Sequence, residues 1–405
     1  MSKFISKGGY KTKFSGMKNI ITIGLLTASL LILSCNSTEN KENSVNSQNE
    51  HLEQNVDSVL ALMTLQEKIG QLVQYNGSWD LTGPPSDMKS KDKLEKIKNG
   101  GVGSMLNVLT VAATREAQKA VMEHSRMKIP LIFGYDVIHG YKTIFPVPLG
   151  ESASWDLQMM KKTAEIAARE TAASGVHWTF SPMLDVSRDA RWGRIMEGSG
   201  EDPYLISQVA IAKVTGYQGK DLSDPHTIAA CAKHFAGYGF AEAGREYNTV
   251  NIGIHEMQNV VLPPFRAAAE AGVATFMNAF NDIDGVPATG SVFLQRELLK
   301  GEWKWDGFVV SDWASIAEMV THGYATDLKH AAELAIKAGS DLDMEGNAYE
   351  NNLETLVTEG KVDLSLIDDA VKRILRIKFR LGLFDDPYRY CDENREKTEI
   401  YTPEH

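Results

Sequence analysis

Cysteine is scarce, with three residues in 405, at Cys35, Cys231 and Cys391. That count excludes a disulfide-stapled scaffold, and Cys231, inside an apolar run, and Cys391, in the tail, are read as unpaired thiols. Zinc spacing is missing as well. His124, His139, His322 and His330 each lack a second ligand at a useful interval, so they are read as surface or packing residues and no metal is expected. No G-x-G-x-x-G or Walker-type loop follows an early strand, and no organic cofactor is expected either. Basic residues are short. Residues 1–34 hold five lysines and no acid, so a chain beginning at Cys35 carries 37 basic against 53 acidic side chains, a net charge of −16. Such a surface repels nucleic acid and anionic lipid, which leaves neutral small molecules as the natural ligands. What the chain does have is length and apolar content: 405 residues at 43% hydrophobic can bury a full core, and suit one large barrel better than two ordinary domains.

The N-terminal residues 1–34 read as an address. Lys18 precedes an apolar run over 20–33 that is too short for a comfortable membrane span, and Ile32-Leu33-Ser34-Cys35 resembles a bacterial lipobox. That resemblance implies a lipid on Cys35, an exported periplasmic or outer-membrane lipoprotein, and membrane contact through the anchor alone. A plain cleaved signal is the alternative. Residues 35–51 are polar and without apolar periodicity, as in a flexible tether, and the globular part begins near Leu52. Thr64-Leu65-Gln66-Glu67 has the form of a capping box opening a helix through Val73.

Seven short apolar or β-branched runs follow, at 102–107, 129–136, 177–185, 227–234, 274–278, 308–312 and 340–343. Between them, 113–127, 157–174, 204–219, 255–271 and 328–339 carry helical periodicity. Strand alternating with helix over this length predicts an α/β fold, a (β/α)8 TIM-type barrel irregular in its first strands. An open doubly wound sheet is the competing fold. In a barrel the C-terminal strand ends converge, so Asp136, Asp185, Lys233, His234, Asn278, Asp312 and Asp343 are expected to share one pocket. The run ending Val309-Val310-Ser311-Asp312-Trp313 carries the most chemistry. A carboxylate there can attack an anomeric carbon, and the adjacent indole offers a flat partner to a pyranose.

Gly134-Tyr135-Asp136-Val137-Ile138-His139-Gly140, Ser181-Pro182-Met183-Leu184-Asp185-Val186, Arg188-Asp189-Ala190-Arg191-Trp192-Gly193-Arg194, Glu197 to Tyr204, Lys233-His234-Phe235, Glu246-Tyr247-Asn248-Thr249 and Ser311-Asp312-Trp313 stand in one order. With them the chain resembles the N-terminal barrel domain of glycoside hydrolase family 3, over roughly 64–388. Gly382-Leu383-Phe384-Asp385-Asp386-Pro387-Tyr388 resembles the end of that domain in bacterial periplasmic β-glucosidases. The resemblance implies a barrel over 52–388 and a retaining β-glycosidase that removes terminal sugars from β-glucosides or short oligosaccharides. Asp312 would be the nucleophile, kept ionised by nearby cations. Asp136, Arg194, Lys233 and His234 would hold the sugar hydroxyls, Glu246 would support the site, and Trp313 would wall the aglycone side. Asp185 and Asp343 are read equally as caps or ligands, Glu201 and Asp202 as ordering a turn and a helix start, and Arg188 and Arg191 as partners of those two acids.

Two departures stand out. Phe280 occupies a place where many relatives carry a tyrosine beside the nucleophile. In most members the general acid comes from a following α/β sandwich, and the Asp-x-His loop of single-domain N-acetylglucosaminidases does not follow Lys233-His234-Phe235-Ala236-Gly237-Tyr238-Gly239. The expectation is therefore a barrel whose acid/base comes from a second domain or subunit, with 389–405 opening the linker to it. The alternatives are a lipid-tethered sugar-binding barrel, a β-xylosidase or an N-acetylhexosaminidase.

Overall fold

A computed structural model of the chain describes residues 49–77 and 90–405. Cys35, the signal segment and most of the tether lie outside the described residues. The chain divides into Met1–Asn55, whose described residues are helical, and Val56–His405, which holds the strands found among the described residues.

In Val56–His405, eight parallel strands form a ring: β1 Val73–Asn76, β2 Ser104–Leu106, β3 Ile132–Tyr135, β4 Trp178–Thr179, β5 Cys231–Phe235, β6 Thr275–Asn278, β7 Phe308–Val310 and β8 Asp343–Met344. One hydrogen-bonded sheet runs β8-β1-β2-β3-β4 and a second runs β5-β6-β7. Parallel bridges Trp178↔Ala229 and Val310↔Leu342 join the two sheets and close the barrel. Strands such as Ile132–Tyr135 and Phe308–Val310 are buried along nearly all their length, which is why they appear in the sequence as near-continuous apolar runs rather than alternating ones. Inside the ring Trp178 lies edge-on to Phe180 and Phe308, and its indole N–H donates to Thr275 at 2.8 Å. Gly134 in β3 makes room for this stack, since a Cβ there would come within 2.8 Å of Phe180.

Helices cover the outside. Thr64 and Glu67 form the expected capping box, with the Thr64 hydroxyl accepting from the Glu67 amide and the Glu67 carboxylate accepting from the Thr64 amide at 2.8 Å. That helix, Leu65–Gln71, stops earlier than expected, because Val73 already belongs to β1. Leu157–Ala173, Pro203–Gln218 and Leu328–Ala338 match the periodic segments to within a residue or two. Leu364–Arg380 lays Ile367, Val371, Ile374 and Leu375 along one buried stripe at helical spacing.

Residues 389–405 pack on the barrel: Tyr390 is fully buried, helix Glu393–Thr398 caps on Asp392, and Glu396 accepts from the Val111 amide at 3.1 Å.

Candidate active site

The carboxyl ends of the strands bring the expected residues together. Asp136 follows β3, Lys233 and His234 lie in β5, and Asp312 follows β7. Lys233 Nζ donates to Asp136 Oδ1 at 3.0 Å. The His234 ring is fixed from behind by Asp185, whose Oδ2 lies 2.8 Å from Nδ1 and accepts the His234 amide at 2.9 Å. Its far nitrogen, Nε2, lies 3.6 Å from Asp312 Oδ2. Both atoms are buried, and neither has a hydrogen-bond partner among the described residues. Asp312 Oδ1 is held by the Trp313 amide at 2.7 Å.

The long connection after β4 supplies the rest. Buried Trp192 packs edge-on against Tyr238 and anchors the loop, which then presents Arg194. Arg194 grips Glu197 through two parallel bonds of 2.8 and 2.9 Å, and its guanidinium lies 5.7 Å from the centre of the Tyr238 ring. Glu246 accepts the Tyr238 hydroxyl, which fits the expected supporting position. Tyr238, Tyr247 and Phe280 make an aromatic wall with ring centres 4.6 to 6.5 Å apart. A cavity of about 240 Å³ opens beside Asp136, lined also by His139, Tyr141, Ile144, Met196 and Glu197. A larger one of about 500 Å³ lies elsewhere, between Ile254, Val286, Phe293 and Tyr324, and none of the strand-end groups lines it.

Burial dominates the electrostatics. It pushes the Asp312 carboxyl up to about 6, against the pull of Arg194 and Lys233, so the group still ionises near neutral pH. Burial likewise raises Asp185 to about 7 and drives His234 well below its usual value, which favours a neutral Asp185–His234 pair. Glu197 is different: burial opposes its charge, yet the Arg194 fork and Lys233 hold it below the usual carboxylate range. Glu318 stands in the first turn of helix Ser315–Thr321, six residues after Asp312, and burial, helped by repulsion from Asp312, lifts it to about 7.

Of the remaining expectations, Asp343 is an anchor: its Oδ2 accepts the Ala348 and Tyr349 amides that open the next helix. Asn278 turns to Ser340 at 2.7 Å. Asp202 caps Pro203–Gln218 as expected. Arg188 and Arg191 pair with Glu256 and Asp189, and not with Glu201 and Asp202, the latter accepting the Leu205 amide at the helix start. Sequence reading passed over Glu197, Tyr238, Tyr247 and Glu318. Glu197 carried a signal, since it opens the next motif only three residues after Arg194.

Residues 64–377 match the family model described as "Glycosyl hydrolase family 3 N terminal domain". A periplasmic β-glucosidase of Salmonella typhimurium is 41% identical over 335 residues, covering 83% of this chain and 43% of that protein. A β-xylosidase of Formosa agariphila is 32% identical over 402 residues, covering 96% of this chain and 50% of its own. The solved structure of a β-glucosidase from Listeria innocua in complex with isofagomine superposes with a TM-score of 0.82 at 43% identity, over 87% of this chain and 49% of that one. The chain thus spans about half the length of the curated relatives it matches. A closed parallel barrel, a strand-end carboxylate cluster and a family match across most of the sequence agree, and the chain belongs to glycosyl hydrolase family 3, whose N-terminal barrel domain it carries.

Proposed function

We propose that this barrel is the nucleophile-bearing part of a retaining β-glycosidase of the β-glucosidase type, removing non-reducing terminal sugars from β-glucosides or short oligosaccharides. The observation that carries the reading is the buried Asp312, one oxygen bonded to the Trp313 amide and the other without a hydrogen-bond partner among the described residues, facing His234 Nε2 at 3.6 Å. In this reading an Asp312 oxygen attacks the anomeric carbon as the bond to the aglycone oxygen breaks, the aglycone leaving as phenolate or, with a proton from the general acid, as alcohol; water then cleaves the glycosyl ester to give the sugar and the free carboxylate. Asp136, Lys233, Arg194 and His234 bind hydroxyls, Glu246 holds Tyr238, and Trp313 flanks the aglycone. A β-glucosidase is preferred to a β-xylosidase because 41–43% identity favours relatives of the first kind over 32% for the second.

The general acid is proposed to come from a second α/β-sandwich domain or subunit. Relatives about twice as long support this, as does the engagement of the nearby carboxyls: Asp136 with Lys233, Asp185 with His234, Glu197 with Arg194 and Glu246 with Tyr238. Glu318, lifted to about 7, is the local competitor. One experiment addresses both points: hydrolysis of p-nitrophenyl and alkyl β-glucosides by this chain, followed by proton NMR. The first-formed sugar is expected to be the β-anomer, and the alkyl substrate to be slower by about 10²- to 10⁴-fold, the contribution of a missing acid. An α-product would refute the retaining mechanism, and equal rates would move the acid to Glu318.

A pH dependence follows from Asp312. The nucleophile works only when ionised, and burial sets its titration near 6. On p-nitrophenyl β-glucoside, kcat/KM is expected to fall as pH drops through about 6, approaching tenfold per pH unit below it. A profile flat down to pH 4 would contradict this assignment. Export as a lipoprotein anchored at Cys35 is proposed from the lipobox, in keeping with the periplasmic relative. Mass spectrometry of the mature N-terminus would detect the lipid, and an N-terminus at any other residue would exclude the anchor.

A further inference from the structure

Glu170 is a buried charge that the catalytic cluster does not use. It lies on helix Leu157–Ala173 among Ala167, Thr171, Ala172 and Ala173, and it is fully buried. A carboxylate in such a place needs donors. Five are present: the Lys142 amide at 3.1 Å, the Thr143 amide at 2.8 Å and hydroxyl at 2.7 Å, the Tyr401 amide at 3.1 Å, and the His405 ring, with Nδ1 at 2.9 Å. Burial opposes its charge, yet the Thr143, His405 and Tyr401 donors hold it below the usual carboxylate range.

These donors come from two separate stretches. Three belong to the turn 139–145, closed by the Phe145 amide on the His139 carbonyl at 2.8 Å. Gly140 adopts φ +109° there, and a Cβ would overlap the Thr143 carbonyl, so this turn requires glycine at that position. His139, Gly140, Tyr141 and Ile144 of that turn line the cavity beside Asp136. The other two donors belong to 399–405, the stretch after helix Glu393–Thr398.

We propose that Glu170 is a positioning residue, a single carboxylate clamping the turn beside Asp136 and the segment 399–405 to one point, so that the seating of that segment sets the shape of the sugar pocket. The claim that the pocket takes sugar rests on the glycosidase reading above. The coupling between the two stretches does not. By linkage the effect runs both ways: a ligand that tightens the turn also tightens 399–405.

The test is amide hydrogen exchange in the full chain, read at Lys142, Thr143 and Tyr401, whose N–H groups point at Glu170. Glu170→Gln sets an amide NH2 among these donors and is expected to speed exchange at all three by about fivefold or more. His405→Ala touches only the C-terminal side, so it remains informative if Glu170→Gln fails to fold. It is expected to speed exchange at Lys142 and Thr143, and unchanged protection there would overturn the proposal. With p-nitrophenyl β-glucoside, His405→Ala is expected to raise KM several-fold at constant kcat, whereas a fall in kcat alone would contradict a positioning role. Coupled exchange in a chain that hydrolyses no glycoside would sink the glycosidase reading and leave this inference standing. Hydrolysis with uncoupled exchange would do the reverse.

Discussion

Asp312→Asn is expected to lower turnover of p-nitrophenyl β-glucoside by about 10⁴-fold or more, the scale on which loss of a covalent nucleophile acts. The substitution should leave the fold unharmed. Asn keeps a carbonyl oxygen for the Trp313 amide now bound at 2.7 Å, and its NH2 can donate to His234 Nε2, 3.6 Å from the present Oδ2. It also removes a buried charge that is costly to ionise, as the rise of Asp312 to about 6 indicates. Sugar affinity should therefore survive while turnover goes. Activity within tenfold of the parent would mean that another group attacks the sugar. A parent chain that binds glucose as tightly as the variant and turns over no better would be a binding barrel.

Asp136→Ala is expected to cost about 10³- to 10⁴-fold in kcat/KM, because a charged acceptor that reads a hydroxyl discriminates far more strongly than an apolar contact can. Its position argues for that role: it follows β3, lines the cavity of about 240 Å³, and receives Lys233 Nζ at 3.0 Å. The loss should be specific to hydroxyl reading, so the variant should treat glucosides and the relevant deoxyglucosides alike where the parent separates them. Stability should fall too. Lys233 is buried, and leaving its ammonium without this partner is expected to cost about 1–3 kcal/mol in denaturant unfolding. If the variant kept the parent's preference among deoxy substrates, Asp136 would be a structural partner of Lys233 alone.

Much of this architecture was legible because parallel barrel strands, buried on both sides, leave unmixed apolar runs that end where the chain meets the pocket. Ile132–Tyr135 before Asp136 and Phe308–Val310 before Asp312 are of that kind. Val73–Asn76 escaped notice because buried Gln74 and Asn76 interrupt its apolar pattern and only Leu72 separates it from the preceding helix. In the site, Asp136, Lys233, His234 and Asp312 were readable from strand ends. Asp185 was ambiguous, since a cap and a partner for His234 look the same in sequence, and only the 2.8 Å contact separates them. The upward shift of the Asp312 carboxyl left no mark in the sequence for a related reason. Neighbouring cations can be counted along a chain, but the depth of burial that outweighs them cannot. Glu170 left no trace in the sequence at all: one acid in an alanine-rich helix looks solvent-facing until the turn and the C-terminal stretch close over it.

Incubation with 2-fluoro-2-deoxy-β-glucosyl fluoride, then peptide mapping by mass spectrometry, tests the central claim most directly, because the fluorine slows release of the glycosyl ester enough for it to accumulate. The expected result is one fluoroglucosyl adduct on the peptide that contains Ser311-Asp312-Trp313, absent from the Asp312→Asn protein. An adduct on Glu318 or any other carboxylate, or turnover of the reagent with no adduct, would contradict the account.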